Sequence, residues 1–393
     1  MNYQSHTFPQ FRVQASLSRF DTAKEGTAEQ HAMLRLLPGS EPHPTTETPA
    51  AHPAERLFGA LRVLLAMPEN TAFRPALIRL FLSDAANQAE SLTAYLAQYS
   101  KAAVSIVQQP PLDGTKMALW VYLIPCTMEQ ERRGDTLAVR HNGYLHLWQA
   151  SRQEEGETSA LQTRNLLLRY EKDLREYGAG TRDHCIRTWF FVRDVDSNYA
   201  GVVEARREEF LRMGLTPQTH YIASTGIQGQ TACPRTKVML DTYAIAQGLR
   251  PGQVQQLYAG HLMNRTIDYG VTFERGTAVC YGDRKHVFIS GTASIDHRGE
   301  VVHTGCIRRQ TERMWTNVEA LLEEGGCGWE DVAQIIVYLR DTADYAEVSA
   351  LFARRFPHHP VCIVLAPVCR PAWLIEMECI AIAPAGQPEF ADF

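Results

Sequence analysis

A pattern that runs its course and then starts again constrains this chain more than any other feature of it. Gln162-Thr163 opens the helical stretch RNLLLRYEKDLREYG, the strand WFFVRD runs to Asp194, a second helical stretch YAGVVEARREEFLRMG follows, and the strands YIASTGIQG and TKVMLDTYAIA close the unit. Further along, Gln310-Thr311 opens ERMWTNVEALLEEGG, the strand IIVYLRD runs to Asp341, YAEVSALFARRF is helical, and VCIVLAPV and WLIEMECIAI close that unit. The intervals from Gln162 to Asp194 and from Gln310 to Asp341 are 32 and 31 residues. Agreement in both order and spacing marks an internal repeat, each copy a supersecondary unit that needs its neighbours to cover its apolar face. A fainter copy precedes them: the helix ERLFGALRVLLAM, the strand LIRLFLSD ending at Asp84, the helix QAESLTAYLAQ, and the strands AVSIVQQPP and KMALWVYLIP.

Strand pairs stand ahead of the helices in copies two and three, TLAVRH with YLHLWQAS and VTFERGTAVCYGD with HVFISGTASID. Each unit is then a hairpin, helix, strand, helix and two strands, an α+β layer with helices on one face of a mixed sheet. Three bare sheet faces in one chain are expected to cover one another as an intrachain pseudo-trimer, helices on the outer face. The expected divisions are an N-terminal segment and linker over 1–54, a degenerate first copy over 55–126, a second over 136–248, a connection over 249–269 and a third over 270–384. Within the first of these, 38–54 is rich in Pro, Thr and Ala without periodicity and reads as a flexible connection, while Gln10 to Ser18 alternates well enough for one strand. Asp84, Asp194 and Asp341 each follow a strand, where a side-chain oxygen can cap the next helix.

Composition removes several functional classes. A hydrophobic share of 45% with 21% charged residues is that of a globular domain, and no apolar run approaches the roughly 20 residues of a membrane span. MNYQSHTFPQF has neither the basic start nor the apolar core of a secretory signal, so a cytoplasmic protein without membrane association is expected. A net charge of -5 offers no general attraction for nucleic acid, and an anionic small-molecule ligand would need local arginines. The nine cysteines are odd in number, scattered and without a C-x-x-C, which argues against a disulfide framework and a zinc site. His358-His359 sits in a turn before Pro360 with no acid or cysteine at ligand spacing, so no metal is expected there. The aromatic run Trp189-Phe190-Phe191 reads as core.

In the last strand, Leu374-Ile375-Glu376-Met377-Glu378-Cys379-Ile380, acids interrupt an apolar run. Pattern alone leaves two readings open. Simple alternation puts Glu376 and Glu378 on a solvated face; alternatively Glu376 is buried, at a cost of several kcal/mol unless it takes up a proton. The aligned positions in the other copies, near Met239 in copy two and apolar in copy one, show that the repeat itself does not require an acid there. Glu378, nearer the middle of the strand, is expected to be structural, with pairing to an arginine from another copy as one route.

The segments Ile289 to Asp296 (ISGTASID), the helix after it, the strand ending Leu339-Arg340-Asp341 and the closing LIEMECIAIA resemble the Rid/YjgF (reactive-intermediate deaminase) superfamily, a chorismate-mutase-like fold whose small subunits form trimers with ligand sites in the clefts between neighbours. The arginine that Rid deaminases carry some fifteen residues before the matching glutamate is replaced here, near Val361, which argues against imine hydrolysis. A longer likeness is to the chorismatase family, which uses the fold more than once in one chain. It is carried by Tyr221-Ile222-Ala223-Ser224-Thr225-Gly226-Ile227, Asp268 to Gly276, Tyr281-Gly282-Asp283-Arg284, Phe288 to Ile295, and Cys369-Arg370 with Glu376, together spanning about residues 100 to 383.

The chorismatase resemblance implies a cofactor-free enzyme acting on chorismate in one cleft between copies two and three. Loss of pyruvate from chorismate requires protonation of the enol-ether methylene, which needs an acid still protonated near neutral pH. Glu376 is the residue that matches the family's catalytic glutamate, and a desolvated carboxyl has the raised pKa the step needs. Gly282 before the Asp-Arg pair, with Cys369, is the combination that resembles the 3-hydroxybenzoate-forming branch; the alternatives are hydrolysis to a dihydroxycyclohexadiene carboxylate, mixed 3- and 4-hydroxybenzoate, or a non-catalytic small-molecule-binding protein. Cys369 as packing alone also stays open. For the substrate carboxylates Arg235 is the expected partner, since its fork matches a carboxylate bidentately, with Tyr221, Thr225 and Tyr281 adding neutral hydrogen bonds. Arg284 reads as a local ion pair or an architectural contact. An internal pseudo-trimer already fills the interfaces of a trimer, so a monomer is expected.

Overall fold

The computed structural model describes residues 1–22, 27–37 and 52–393, so most of the expected linker over 38–54 lies outside the described residues. The first unit runs β1 (Asn2–Phe8), β2 (Val13–Phe20), β3 (Glu29–Leu36), α1 (Pro53–Ala66), β4 (Phe73–Leu82), α2 (Ala85–Gln88), α3 (Thr93–Leu96), β5 (Ala103–Gln108) and β6 (Met117–Pro125). The second runs β7 (Glu129–Arg133), β8 (Thr136–His141), β9 (Tyr144–Arg152), α4 (Ser159–Arg175), α5 (Thr181–His184), β10 (Cys185–Val192), α6 (Val195–Arg212), β11 (Ala223–Gln228) and β12 (Val238–Gln247). The third runs β13 (Val254–Leu257), β14 (Gly276–Cys280), β15 (Arg284–Ala293), α7 (Ile307–Glu324), β16 (Val332–Leu339), α8 (Tyr345–Arg355), β17 (Val361–Leu365) and β18 (Ile375–Pro384).

Each unit forms one six-stranded mixed sheet, and the strand orders are the same: β1-β2-β3-β6-β4-β5, β7-β8-β9-β12-β10-β11 and β13-β14-β15-β18-β16-β17. The three make an α+β pseudo-trimer. In every unit the last pairing of that order is parallel, β4 with β5, β10 with β11 and β16 with β17, the crossover being made through the segment between them.

Two expectations about the first copy change. Residues 2–36 supply three of its six strands, so the unit begins well before 55, and the strand foreseen at Gln10–Ser18 is β2, with Val13, Ala15 and Leu17 facing inward at period two. The turn ahead of it has Pro9 at its second position, with the Phe11 N–H on the Phe8 carbonyl at 3.1 Å, and Arg12 at φ 51 where a glycine would be usual. The helix foreseen over QAESLTAYLAQ is broken into single turns, with Leu92 as its one fully buried apolar side chain. The expected connection 249–269 contains β13, an edge strand of the third sheet.

Capping follows the sequence at Asp84, which accepts from Asn87 N–H, and at Asp341, which accepts from Ala343 N–H at 2.8 Å. Asp194 differs: it stands at φ 46 and its side chain makes no cap bond. Gln228 Oε1 takes the orphan Val195 N–H instead, at 2.8 Å.

Strand register fixes which residues are counterparts. Phe81, Phe191 and Tyr338, each three residues ahead of the strand-ending aspartate, pair with Ala118, Met239 and Glu376. Two residues on, Trp120, Asp241 and Glu378 share a second equivalent position. The last two of these face arginines from other units: Arg79 lies 3.0 Å from Asp241 and 3.7 Å from Glu378, and Arg187 lies 2.8 Å from Glu378. All four charges are fully buried. Trp189, buried as expected, donates its indole N–H to Glu378 at 2.9 Å. Arg284 pairs locally with Asp283 and reaches Glu29 of the first unit at 2.6 Å. Among the described residues no helix is long and apolar enough to cross a membrane.

Candidate functional site

Between units two and three lies a cavity of about 430 Å³, walled by α6 and β11 on one side and by β15, residues 271–275 and the loop leading into β18 on the other. Glu376 opens β18 and is 5% exposed, its exposure directed to this cavity. Its carboxyl makes no hydrogen bond or ion pair among the described residues. Burial, reinforced by the neighbouring Glu378 charge and opposed by Arg187, pushes its pKa up to about 8.

The carboxyl fits because the opposing strand gives way. The β15–β18 register shifts between Ile289 and Thr292, so two residues of β15 leave the ladder. Gly291 N–H donates to Thr225 Oγ1 at 2.9 Å and Ser290 N–H to the Arg275 carbonyl at 2.9 Å. A Cβ on Gly291 would collide with Glu376 Oε1 and stand 2.8 Å from its Cδ. Behind this wall Thr225 donates to Glu378 and accepts from Arg187, tying β11 of unit two to β18 of unit three.

Cys369, on the loop before β18, lines the same cavity in hydrogen-bond contact with Tyr199 of α6. Burial and the adjacent Glu376 push its thiol up to about 12, so it stays protonated. The loop is held by Arg340, which donates to the Val368 carbonyl at 2.6 Å and makes a two-point contact with Asp196 on the first turn of α6 at 2.7 and 3.0 Å.

Cations come from positions that the sequence reading passed over. Arg206, on α6, is 1% exposed and lines the cavity. Its guanidinium lies over the rings of Phe190 and Phe273 and reaches Ser224 Oγ only at 3.5 Å, while Nε and one Nη have no partner. No carboxylate pairs with it among the described residues. A buried guanidinium with unpaired N–H groups costs several kcal/mol, and a ligand carboxylate would satisfy it. Arg207, Arg275 and Arg370 add positive charge around the cavity, Arg275 being engaged by Asn264 and Arg370 by the Gly299 carbonyl.

Of the residues singled out from the sequence, Glu376 and Cys369 come together on the cavity, and Thr225 supports its wall. The other four do not line it. Arg235 sits on an exposed turn, its carbonyl accepting from Gln162. Tyr221 packs in the core of unit two against Phe210. Tyr281 lies in a buried cluster with Tyr144, His286 and Phe393. Gly282 faces residues 390–392, where a Cβ would meet Asp392 Oδ1 at 2.5 Å. The side chains that line the cavity instead include Arg206, Tyr199, Phe273 and Trp373. A signal for Arg206 was present: Val202, Ala205, Arg206, Glu209 and Phe210 follow helical spacing on the buried face, and the matching residue of YAEVSALFARRF is Phe352.

Residues 276–383 match the family model described as endoribonuclease L-PSP. A RutC family protein of Synechocystis is 30% identical over 103 residues, 25% of this chain and 78% of that protein. A RutC family protein of Pyrococcus abyssi is 38% identical over 98 residues, 24% of this chain and 76% of that protein. Among solved structures, a chorismatase superposes with a TM-score of 0.61 at 19% identity, covering 78% of this chain and 92% of that one. That likeness establishes the shared fold, three units included.

Proposed function

Because this chain belongs to the RutC family, and because its three clefts differ in which one holds a buried acid, we propose that it is a chorismatase, releasing pyruvate from chorismate and forming 3-hydroxybenzoate. The observation that carries the reading is the pairing, in one cavity, of an acid that is protonated at neutral pH with a buried arginine that lacks an anion. The fold of the chorismatase structure supports it.

Chorismate brings two carboxylates, an enolpyruvyl ether at C3 and a hydroxyl at C4. Arg206 takes one carboxylate and the neighbouring arginines favour the second. The Glu376 proton goes to the ether's methylene carbon; the C3–O bond then breaks and pyruvate leaves. The C4 hydroxyl oxygen bonds to C3 and returns its proton to Glu376, giving an arene oxide. The thiol of Cys369, held protonated, donates to the epoxide oxygen as C4–O opens, and the thiolate it leaves takes the C3 proton, which aromatises the ring and restores the thiol. The products together contain the atoms of chorismate, with no water consumed. Water entering at C3 instead would give the dihydroxy diene.

Incubation of the protein with chorismate, followed by pyruvate and aromatic absorbance, tests this. Pyruvate with an equal amount of 3-hydroxybenzoate is expected; absence of pyruvate would refute the reading, and pyruvate without an aromatic product would select hydrolysis. Glu376→Gln is expected to slow pyruvate release by about 10²- to 10⁴-fold, the usual range for losing a general acid.

A further inference from the structure

The cleft between units three and one is the register counterpart of the Glu376 cavity. Tyr199, Val203 and Arg206 of α6 correspond to Tyr345, Ser349 and Phe352 of α8, and Ser224 and Gly226 of β11 to Val361 and Ile363 of β17. A cavity of about 260 Å³ persists there, closed on the far side by β1, β2 and Arg35 of β3. Ala118 stands where Glu376 would be and Phe352 where Arg206 would be, so the acid and the helix-borne cation are both gone.

A different set of polar groups replaces them. Arg35 pairs with Ala118 across the strands as Ala293 pairs with Glu376, which places it at the cleft wall. It is half-buried, reaches Gln14 Oε1 only at 3.5 Å and forms no ion pair among the described residues. Asp113, the acid of the lining, is already engaged by the Thr115 N–H at 3.1 Å and hydroxyl at 2.6 Å. His359 Nε2 lies 3.0 Å from the Trp329 carbonyl, which can only accept, so the ring hydrogen is assigned to Nε2. Nδ1 is then a buried acceptor without a donor. Phe352 and Phe356 give the cleft an apolar wall.

We propose that this cleft is a second, non-catalytic binding site for a small hydroxylated aromatic carboxylate, with Arg35 taking the carboxylate and His359 Nδ1 accepting from the ligand hydroxyl. The product 3-hydroxybenzoate belongs to that class. Its identification as the occupant rests on the chorismatase reading; the site itself rests on the cleft.

Calorimetric titration of the full chain with 3-hydroxybenzoate, and separately with benzoate, tests the proposal. Wild type is expected to bind two equivalents of 3-hydroxybenzoate. Arg35→Ala should weaken one of the two roughly tenfold or more, the scale of a charge-assisted hydrogen bond, with pyruvate release from chorismate unchanged. Ser349→Trp, which fills the cleft from α8, should remove the same equivalent, while Arg206→Ala should remove the other. Benzoate, lacking the hydroxyl, should bind the Arg35 site more weakly. If Arg35→Ala and Ser349→Trp, both shown to be folded by circular dichroism, titrate like wild type, the second site does not exist. A protein that releases no pyruvate yet loses one equivalent through Arg35→Ala would refute the chorismatase reading and leave the second site standing.

Discussion

Glu376 carries a carboxyl with no internal partner, and its counterparts Ala118 and Met239 show that the fold does not ask for one there. Its pKa of about 8 in the folded protein is above the value of 4.5 that it has when exposed. Between those values the folded state holds the proton more tightly than the unfolded state, so this residue's effect on stability worsens as pH rises through that window. Glu376→Gln is therefore expected to match wild type near pH 5 and to exceed it by roughly 2–4 kcal/mol near pH 8.5, read from urea unfolding at the two pH values. A gap that does not change with pH would mean that the carboxyl is ionised throughout. Glu376 was legible in the sequence because it interrupts an apolar strand at a position that is apolar in the other copies. Arg206 carried the same kind of signal against Phe352. Tyr281, Gly282 and Arg235 stand away from the cavity, because neither a motif nor position along the chain says which face of a sheet a side chain serves.

At the scale of elements, the site depends on a single irregularity in β15. The bulge between Ile289 and Thr292 takes two backbone N–H groups out of the ladder, that of Gly291 for Thr225 of unit two and that of Ser290 for the Arg275 carbonyl, and Gly291 leaves the space that the Glu376 carboxyl fills. Gly291→Ala sets its methyl against the end of the Glu376 side chain and near the Thr225 methyl, so the carboxyl has to leave the place it holds. The substitution is expected to lower stability by roughly 1–3 kcal/mol, as overpacking does, and to cut pyruvate release more than tenfold. Thermal melts and the chorismate assay read the two effects separately; an Ala variant with full activity would place the carboxyl elsewhere. The helices and most strands of copies two and three were legible from periodicity. Alternation did not show the β1–β2 hairpin or the bulge, although Pro9 stands in the turn of the one and Gly291 in the other, residue types that mark such features.

The whole molecule is joined by buried charges. Glu29 of unit one accepts from Arg284 at 2.6 Å and lies 2.8 Å from His286, both of unit three, and takes the Tyr122 hydroxyl at 2.7 Å. His286 and Arg284 hold its carboxyl well below the usual range against the opposing cost of burial. A depressed folded pKa contributes stability that is present above the ordinary carboxylate range and lost as pH falls through the folded value. Glu29→Gln is expected to cost roughly 3–5 kcal/mol at pH 7 and to flatten the acid limb of a plot of Tm against pH, as measured by calorimetry. A wild-type acid limb retained in the variant would assign acid sensitivity to other carboxylates.

The sequence by itself determined that the chain is three copies of one α+β unit, that the copies must cover one another, and that one of them carries an acid the others lack. These follow from periodicity and from comparing copies, both of which are local properties of the chain. Tertiary structure alone decided which side chains meet. Arg206 from one unit and Glu376 from the next face one cavity, and Arg35 and His359 face another, because each cleft is assembled from strands far apart in sequence. Their charges and missing partners have meaning only once water has been excluded from between the units.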